Sequence, residues 1–245
     1  MIKGALTRLA GILYPAFCGN CGHGLGPGER FFCTGCAGSA EYLPSPFCTS
    51  CGRPFISQAT TDHLCHECMR KHPPYDVARA QAIYKGVVKE AIHLYKYRPV
   101  RSLKGYLGDF IEEGSKKWFS DADLAVAVPL HKMRPRQRGF NQSLFLAQRA
   151  SRALGIGLSV DGLARVKNTR PQVDLDHRAR EANVRGAFKA IRPDEFKGRN
   201  VLLVDDVYTT GATVKECAKV LKAAGADKVC VLTVARVFSD STEGP

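Results

Sequence analysis

A chain of 245 residues, 44% of them apolar, is long enough to bury one sizeable core and to carry a small accessory module besides. Its formal charge of +13 is uneven: the first 75 residues hold six basic and four acidic residues, the rest 30 and 19, a balance that favours phosphate-bearing partners without choosing among nucleotide, pyrophosphate and nucleic acid. No apolar run approaches the ~20 residues needed to cross a bilayer, so membrane insertion is excluded at the outset.

At the amino end Ile2, Leu6, Leu9 and Leu13 recur at helical spacing. Arg8 interrupts the apolar stretch, and Pro15-Ala16-Phe17 is a poor cleavage site, so the segment reads as a short helix rather than a secretory signal. A reducing cytoplasm is the expected location. Eight of the ten cysteines follow in four Cys-x-x-Cys pairs: Cys18 with Cys21, Cys33 with Cys36, Cys48 with Cys51, and Cys65 with Cys68. Four thiolates satisfy a tetrahedral Zn²⁺ in a closed structural site, and the repeat predicts a double zinc ribbon with two such ions. Sequential and interleaved pairings both complete two sets of four. An iron–sulfur cluster is also chemically allowed, whereas thioredoxin-like redox work needs one pair opening a helix. His23, His63 and His66 stand nearby, but no cysteine needs replacing. Gly22, Gly35 and Gly52 fit tight knuckles whose amides turn toward sulfur. So small a segment needs the metal to fold.

Lys71-His72-Pro73-Pro74 marks a boundary, giving a module at 1–74 and a body at 75–245. In the body, apolar residues at 88, 91, 92 and 95 predict an amphipathic helix over 87–97, ended by Pro99. Residues 124–128 read as a short buried strand ended by Pro129, and Asn141 caps a helix that runs to Leu154 before Gly155. Between them lies a loop with Lys132, Arg134, Arg136 and Arg138 and no acid. Ligands of open α/β sheets bind just beyond the carboxyl ends of strands, so this loop is a candidate anion site.

A second strand is expected at 200–204 and a helix at 214–224, closed by Gly225. Between them stand Asp205, Asp206, Val207, Tyr208, Thr209, Thr210, Gly211, Ala212 and Thr213. Small and hydroxylated residues at a helix start surround a phosphate with backbone N–H groups and hydroxyls, aided by the helix dipole. The adjacent carboxylates repel that phosphate and must face ribose hydroxyls or a hydrated Mg²⁺. Gly211 is followed by Ala-Thr, not Lys-Ser/Thr, so this is not a Walker loop, and no Gly-x-Gly-x-x-Gly stands at the turn.

Residues 201–213 resemble the 5-phosphoribosyl pyrophosphate (PRPP) signature of type I phosphoribosyltransferases. The whole chain resembles the ComF family of competence-associated proteins, through the cysteine pairs, the Arg-Gly-Phe-Asn-Gln run at 138–142, and Arg170-Pro171-Gln172 followed by Arg178, Asn183 and Val184. The resemblance implies an α/β type I phosphoribosyltransferase fold with a parallel sheet and a flexible hood at 165–185. It implies that Asp205 and Asp206 hold the ribose hydroxyls, that Thr209, Thr210, Gly211, Ala212 and Thr213 hold the 5′-phosphate, and that the loop from Val128 through Lys132 and Arg134 to Arg138 binds pyrophosphate with Mg²⁺. Purine-salvage relatives carry an aspartate where this chain has Thr209, which argues against 6-oxopurine transfer. With Met1-Ile2 at the start there is no amino-terminal cysteine nucleophile for glutamine hydrolysis. The expected reaction is transfer of phosphoribosyl to an acceptor the sequence does not name. The rival expectation, from the charge, the ribbon and the family's association with DNA uptake, is a single-stranded DNA or protein-binding module regulated by a phosphoribosyl ligand, working beside a DNA-processing protein. Cys217 and Cys230 read as core filling, and Asp174, Asp176 and His177 as a solvated cluster.

Overall fold

The computed structural model describes residues 17–29, 31–55, 60–97, 101–130, 141–167 and 177–238. Five strands make one parallel sheet: β1 (Val77–Ile83), β2 (Leu124–Ala127), β3 (Gly157–Ser159), β6 (Asn200–Tyr208) and β7 (Lys228–Arg236), in the spatial order β1-β7-β6-β2-β3. Continuous apolar strands such as Val201-Leu202-Leu203-Val204 suit a sheet covered on both faces. Side-chain alternation divides the core in two. Val201, Leu203, Val229 and Val231 pack with Val214, Cys217, Ala218 and Leu221 of helix α7 (Ala212–Ala223). Leu202, Val204, Cys230, Leu232 and Val234 pack on the other face against α3 (Gly86–Tyr97), α4 (Arg101–Trp118) and α5 (Gln142–Leu154).

The expected helix starts are reproduced closely. Asn141 caps α5 by accepting from the Ser143 amide at 3.1 Å, and Gly155 ends that helix. Strand β6 is longer than expected, because β7 continues opposite it and pairs Asp205 with Thr233 and Tyr208 with Arg236. The two aspartates therefore belong to the strand and not to the loop after it. Helix α4 went unread in the sequence, since Gly105, Gly108 and Gly114 weaken its pattern. Packing explains one of them: a methyl on Gly114 would stand 3.0 Å from Leu232 and 3.2 Å from Gln81.

An antiparallel pair, β4 (Leu163–Arg165) with β5 (Phe188–Ala190), lies apart from the main sheet, and α6 (His177–Val184) precedes β5. Of these elements α6 falls within 165–185, the segment that the resemblance makes a hood; β4 reaches it only at Arg165, and β5 lies beyond it. Residues 168–176, including Asp174 and Asp176, lie outside the described residues, as do the amino-terminal segment 1–16 and the basic loop 131–140.

The cysteine module wraps the sheet edge rather than standing off it. Backbone hydrogen bonds join Ala78 N to Ser50 O (2.7 Å), Leu43 N to Gln81 O (3.1 Å) and Ile83 N to Glu41 O (2.8 Å), so residues 41–50 run along the outer side of β1. Two short helices, α1 (Thr34–Gly38) and α2 (His66–Arg70), follow Cys33 and Cys65.

Candidate functional site

Helix α5, which follows β2, lies on one face of the sheet, while α7, which follows β6, lies on the other. The chain leaves these neighbouring strands in opposite directions, and that divergence opens a crevice at their carboxyl ends, where ligands of open α/β sheets bind. Asp205 and Asp206 stand there. Asp205 Oδ1 accepts from Ser143 Oγ at 2.8 Å and from the Asp206 amide at 2.9 Å. Asp206 faces Lys96 Nζ at 3.0 Å. Burial and then the neighbouring Asp206 charge push the Asp205 carboxyl up to about 7. Burial works against the Lys96 ammonium, but the hydrogen-bonded Asp206 and the nearby Asp205 outweigh it and raise it. The lysine is held by its backbone: Gln142 Nε2 donates to Lys96 O at 3.2 Å, and Tyr95 Oη donates to Gln142 O at 3.2 Å. The ends of α3 and α5 are thereby fastened together beside the acids.

Beyond the acids, Thr209 and Thr210 lead into the turn. Gly211 adopts φ 74°, a left-handed conformation, and its carbonyl accepts from Lys215 N at 2.8 Å. Thr210 Oγ1 accepts from the Ala212 amide at 3.3 Å. Ala212 and Thr213 form the first turn of α7, so amides and hydroxyls collect where the helix dipole is positive. A side-chain carbon on Gly211 would overlap the Tyr208 ring. The Tyr208 hydroxyl in turn meets Tyr75 Oη at 2.7 Å, and Arg236 lies over the Tyr208 ring at 4.1 Å.

The structure thus brings Asp205, Asp206, Thr209, Thr210, Gly211, Ala212 and Thr213 together at one crevice. Lys132, Arg134 and Arg138 lie outside the described residues. Sequence reasoning gave no role to Lys96, Ser143, Tyr208 or Arg236. For Lys96 and Ser143 no local signal existed, because only the packing of α3 and α5 on the sheet carries them to β6.

The cysteines pair sequentially: Cys18, Cys21, Cys33 and Cys36 in one cluster, Cys48, Cys51, Cys65 and Cys68 in the other, the ligand atoms of each lying within 4.8 Å of one another. Sulfur separations of 3.7 Å (Cys21 to Cys33) and 3.8 Å (Cys51 to Cys65) match the edge of a tetrahedron of thiolates about 2.3 Å from a zinc ion. Amides turn toward sulfur, with Cys33 N on Cys18 Sγ at 3.3 Å, and Cys51 N and Cys65 N on Cys48 Sγ at 3.4 and 3.3 Å. Burial raises the Cys48 thiol, yet these bonds prevail and bring it down to about 7. Gly22 and Gly52 are the left-handed knuckle glycines (φ 71° and 69°). Gly35 is different: it sits in α1 without a positive φ, because the chain after Cys33 turns helical. The donor sets fit two structural zinc ions. Cys217 and Cys230 are buried in the two cores, as expected of packing residues.

Residues 9–73 match the model of the double zinc ribbon domain, and residues 141–243 match that of the phosphoribosyl transferase domain. The chain is 32% identical over 230 residues to the DNA utilization protein YhgH of Escherichia coli K12, covering 91% of this chain and 98% of that protein. It is 30% identical over 225 residues to competence protein F of Haemophilus influenzae, covering 89% and 96%. The chain belongs to the ComF family. Within that family, competence protein ComFC of Bacillus subtilis is 27% identical over 204 residues, with 80% of each chain covered. Among solved structures, a glutamine PRPP amidotransferase from B. subtilis aligns with 57% of this ComF chain and 30% of its own, at 21% identity and a TM-score of 0.41.

Proposed function

We propose that this ComF protein binds PRPP at the carboxyl ends of β6 and β2 and transfers its phosphoribosyl group to an acceptor, in the service of DNA utilization or competence. The observation that carries the reading is the pairing of two strand-borne acids, Asp205 and Asp206, with a threonine-rich left-handed turn that opens α7. The turn meets the 5′-phosphate and the acids meet the vicinal hydroxyls. Lys96 already answers the Asp206 charge, so the pair suits neutral hydroxyls better than a bare divalent ion. Mg²⁺, when bound with PRPP, would neutralise charge on the departing pyrophosphate. In the reaction the bond from the anomeric carbon to pyrophosphate oxygen breaks, its electron pair leaves with pyrophosphate, and an acceptor lone pair closes on the carbon. Basic side chains of the loop carrying Lys132, Arg134 and Arg138 would hold the leaving group, and the hood would exclude water. We divide the chain at 74/75 into ribbon and transferase-like body, and place it in the cytoplasm, where eight zinc-binding thiolates stay reduced.

Calorimetry with PRPP and Mg²⁺ tests the reading. The wild type is expected to bind and Asp206→Asn to lose most of that affinity; a wild type that gives no binding signal overturns it. A second reading, a nucleic-acid-binding module, is favoured by a cleft of about 530 Å³ that opens from Thr209 and Thr210 toward the second cysteine cluster, with Arg53, Arg70, Lys71 and Lys215 on its walls. Glu67 and Glu181 on the same walls, and the negative charge of four thiolates on one zinc, offset much of that basicity. That reading predicts affinity for single-stranded DNA that falls steeply with salt; affinity unchanged between low and high salt would count against it.

A further inference from the structure

We infer that Tyr208 and Arg236 are positioning residues that make the phosphate turn depend on the second four-cysteine site and leave it indifferent to the first. The inference rests on the reading of residues 209–213 as a phosphate seat. A single line of contacts carries it. Arg236 Nη1 donates to the carbonyl of Cys51 at 2.8 Å, so the guanidinium is anchored on the knuckle that supplies a metal ligand. The Cζ of the same guanidinium stands over the Tyr208 ring, 4.1 Å from its centre. The Tyr208 hydroxyl is fixed at its far end by Tyr75 at 2.7 Å, and Tyr75 leads from the ribbon into β1. Against that ring rests Gly211, which has no room for even one added carbon. Gly211 in turn supplies the left-handed residue that lets α7 begin. The knuckle itself is seated hard on the sheet: a carbon added to Gly52 would stand 2.5 Å from the carbonyl oxygen of Ala78. All four cysteines of this cluster are buried and share one apolar core with Tyr75, Tyr208, Ala212 and Val214.

Among the described residues the first cluster has no such route. Its Cys18 and the apolar residues around Cys33 and Cys36 pack on the opposite core, and its body contacts run to α4, where Phe32 meets Tyr106 edge-on at 5.2 Å and Tyr106 Oη donates to Ala37 O at 3.3 Å. Linkage makes the dependence reciprocal: whatever the second metal site contributes to ligand binding, the ligand returns to that site.

The experiment uses the full chain with both sites loaded with ¹¹³Cd, and PRPP or ribose 5-phosphate as probe. Titration is expected to shift the resonance of the Cys48–Cys68 site and leave that of the Cys18–Cys36 site in place. Arg236→Ala is expected to retain two metal equivalents, weaken the probe about tenfold and abolish the shift, while Arg236→Lys restores part of both. Hydrogen exchange provides a readout that needs no ligand: the Lys215 amide, bonded to Gly211 O, is expected to exchange faster in Arg236→Ala and on removal of the second metal, but not in Cys21→Ser. If the probe binds wild type and Arg236→Ala alike and neither resonance moves, the inference is overturned. If no probe binds at all, the proposed function fails, and the exchange rates alone decide whether the contacts act as a strut: unchanged rates overturn it, faster rates uphold it.

Discussion

Two clusters with the same four donors and nearly the same spacing do different mechanical work. At the first, Cys18 is buried in the opposite core, Cys21 is exposed, Cys33 and Cys36 are half-buried, and the surrounding ribbon meets α4 through Phe32 and Ala37. At the second, every cysteine is buried in the core that also holds the phosphate turn. A metal-binding motif therefore fixes local geometry only; where its knuckles land on the sheet decides how much of the molecule relies on it.

The largest difference is expected from removing one ligand on each side. Cys48→Ala should lose one zinc equivalent and with it the cooperative thermal transition of the whole body, since metal binding contributes about 10 kcal/mol even in isolated zinc fingers. Cys21→Ala should also lose one equivalent yet keep a single main transition close to that of wild type. Metal analysis with circular dichroism reads both, and equal losses of transition would erase the distinction.

A smaller contrast comes from the knuckle glycines. Both adopt left-handed backbone, so an alanine at either costs about 1–2 kcal/mol. Among the described residues nothing lies within 4 Å of a carbon added at Gly22, whereas one at Gly52 meets the Ala78 carbonyl. Urea unfolding should place Gly52→Ala well below Gly22→Ala in stability; matching midpoints would mean that the second knuckle can shift off the sheet freely.

A further contrast is one of pH, and the two regions differ in sign. Glu29, in the first ribbon, accepts from the amides of Gly26 and Thr34 and from the Thr34 hydroxyl, and these bonds lower its carboxyl. Its contribution is present above the ordinary glutamate range and is lost as pH falls through the lowered value. Asp205 is raised from 3.8 to about 7. Its contribution is complete below 3.8 and is lost as pH rises through about 7. Asp205→Asn should therefore flatten the decline of body stability between these two values, and Glu29→Gln should flatten the acid loss of the ribbon. Stability curves measured at a series of pH values test both, and an unchanged slope in Asp205→Asn would refute the raised carboxyl at that position.

Much of this architecture was legible in the residues because its signals are local. Cys-x-x-Cys pairs, Asn141 as a cap, Gly155 as a stop and the apolar run at 201–204 each act within a few residues of themselves. What escaped was set at long range. The extension of β6 through the aspartates depends on β7 continuing opposite. Lys96 and Ser143 reach the acids only because two helices dock side by side. The choice between sequential and interleaved cysteine pairing is likewise a matter of three-dimensional proximity that spacing leaves open.

The course of residues 41–50 along β1 has a bearing on how the molecule behaves in company. An uncovered outer strand offers a row of backbone groups to any neighbouring chain, and soluble proteins guard such rows. Here the guard is a metal-shaped segment, holding the groups at 78, 81 and 83. Removal of the metal is therefore expected to uncover these backbone groups and to promote self-association, which light scattering of the chelated protein would read.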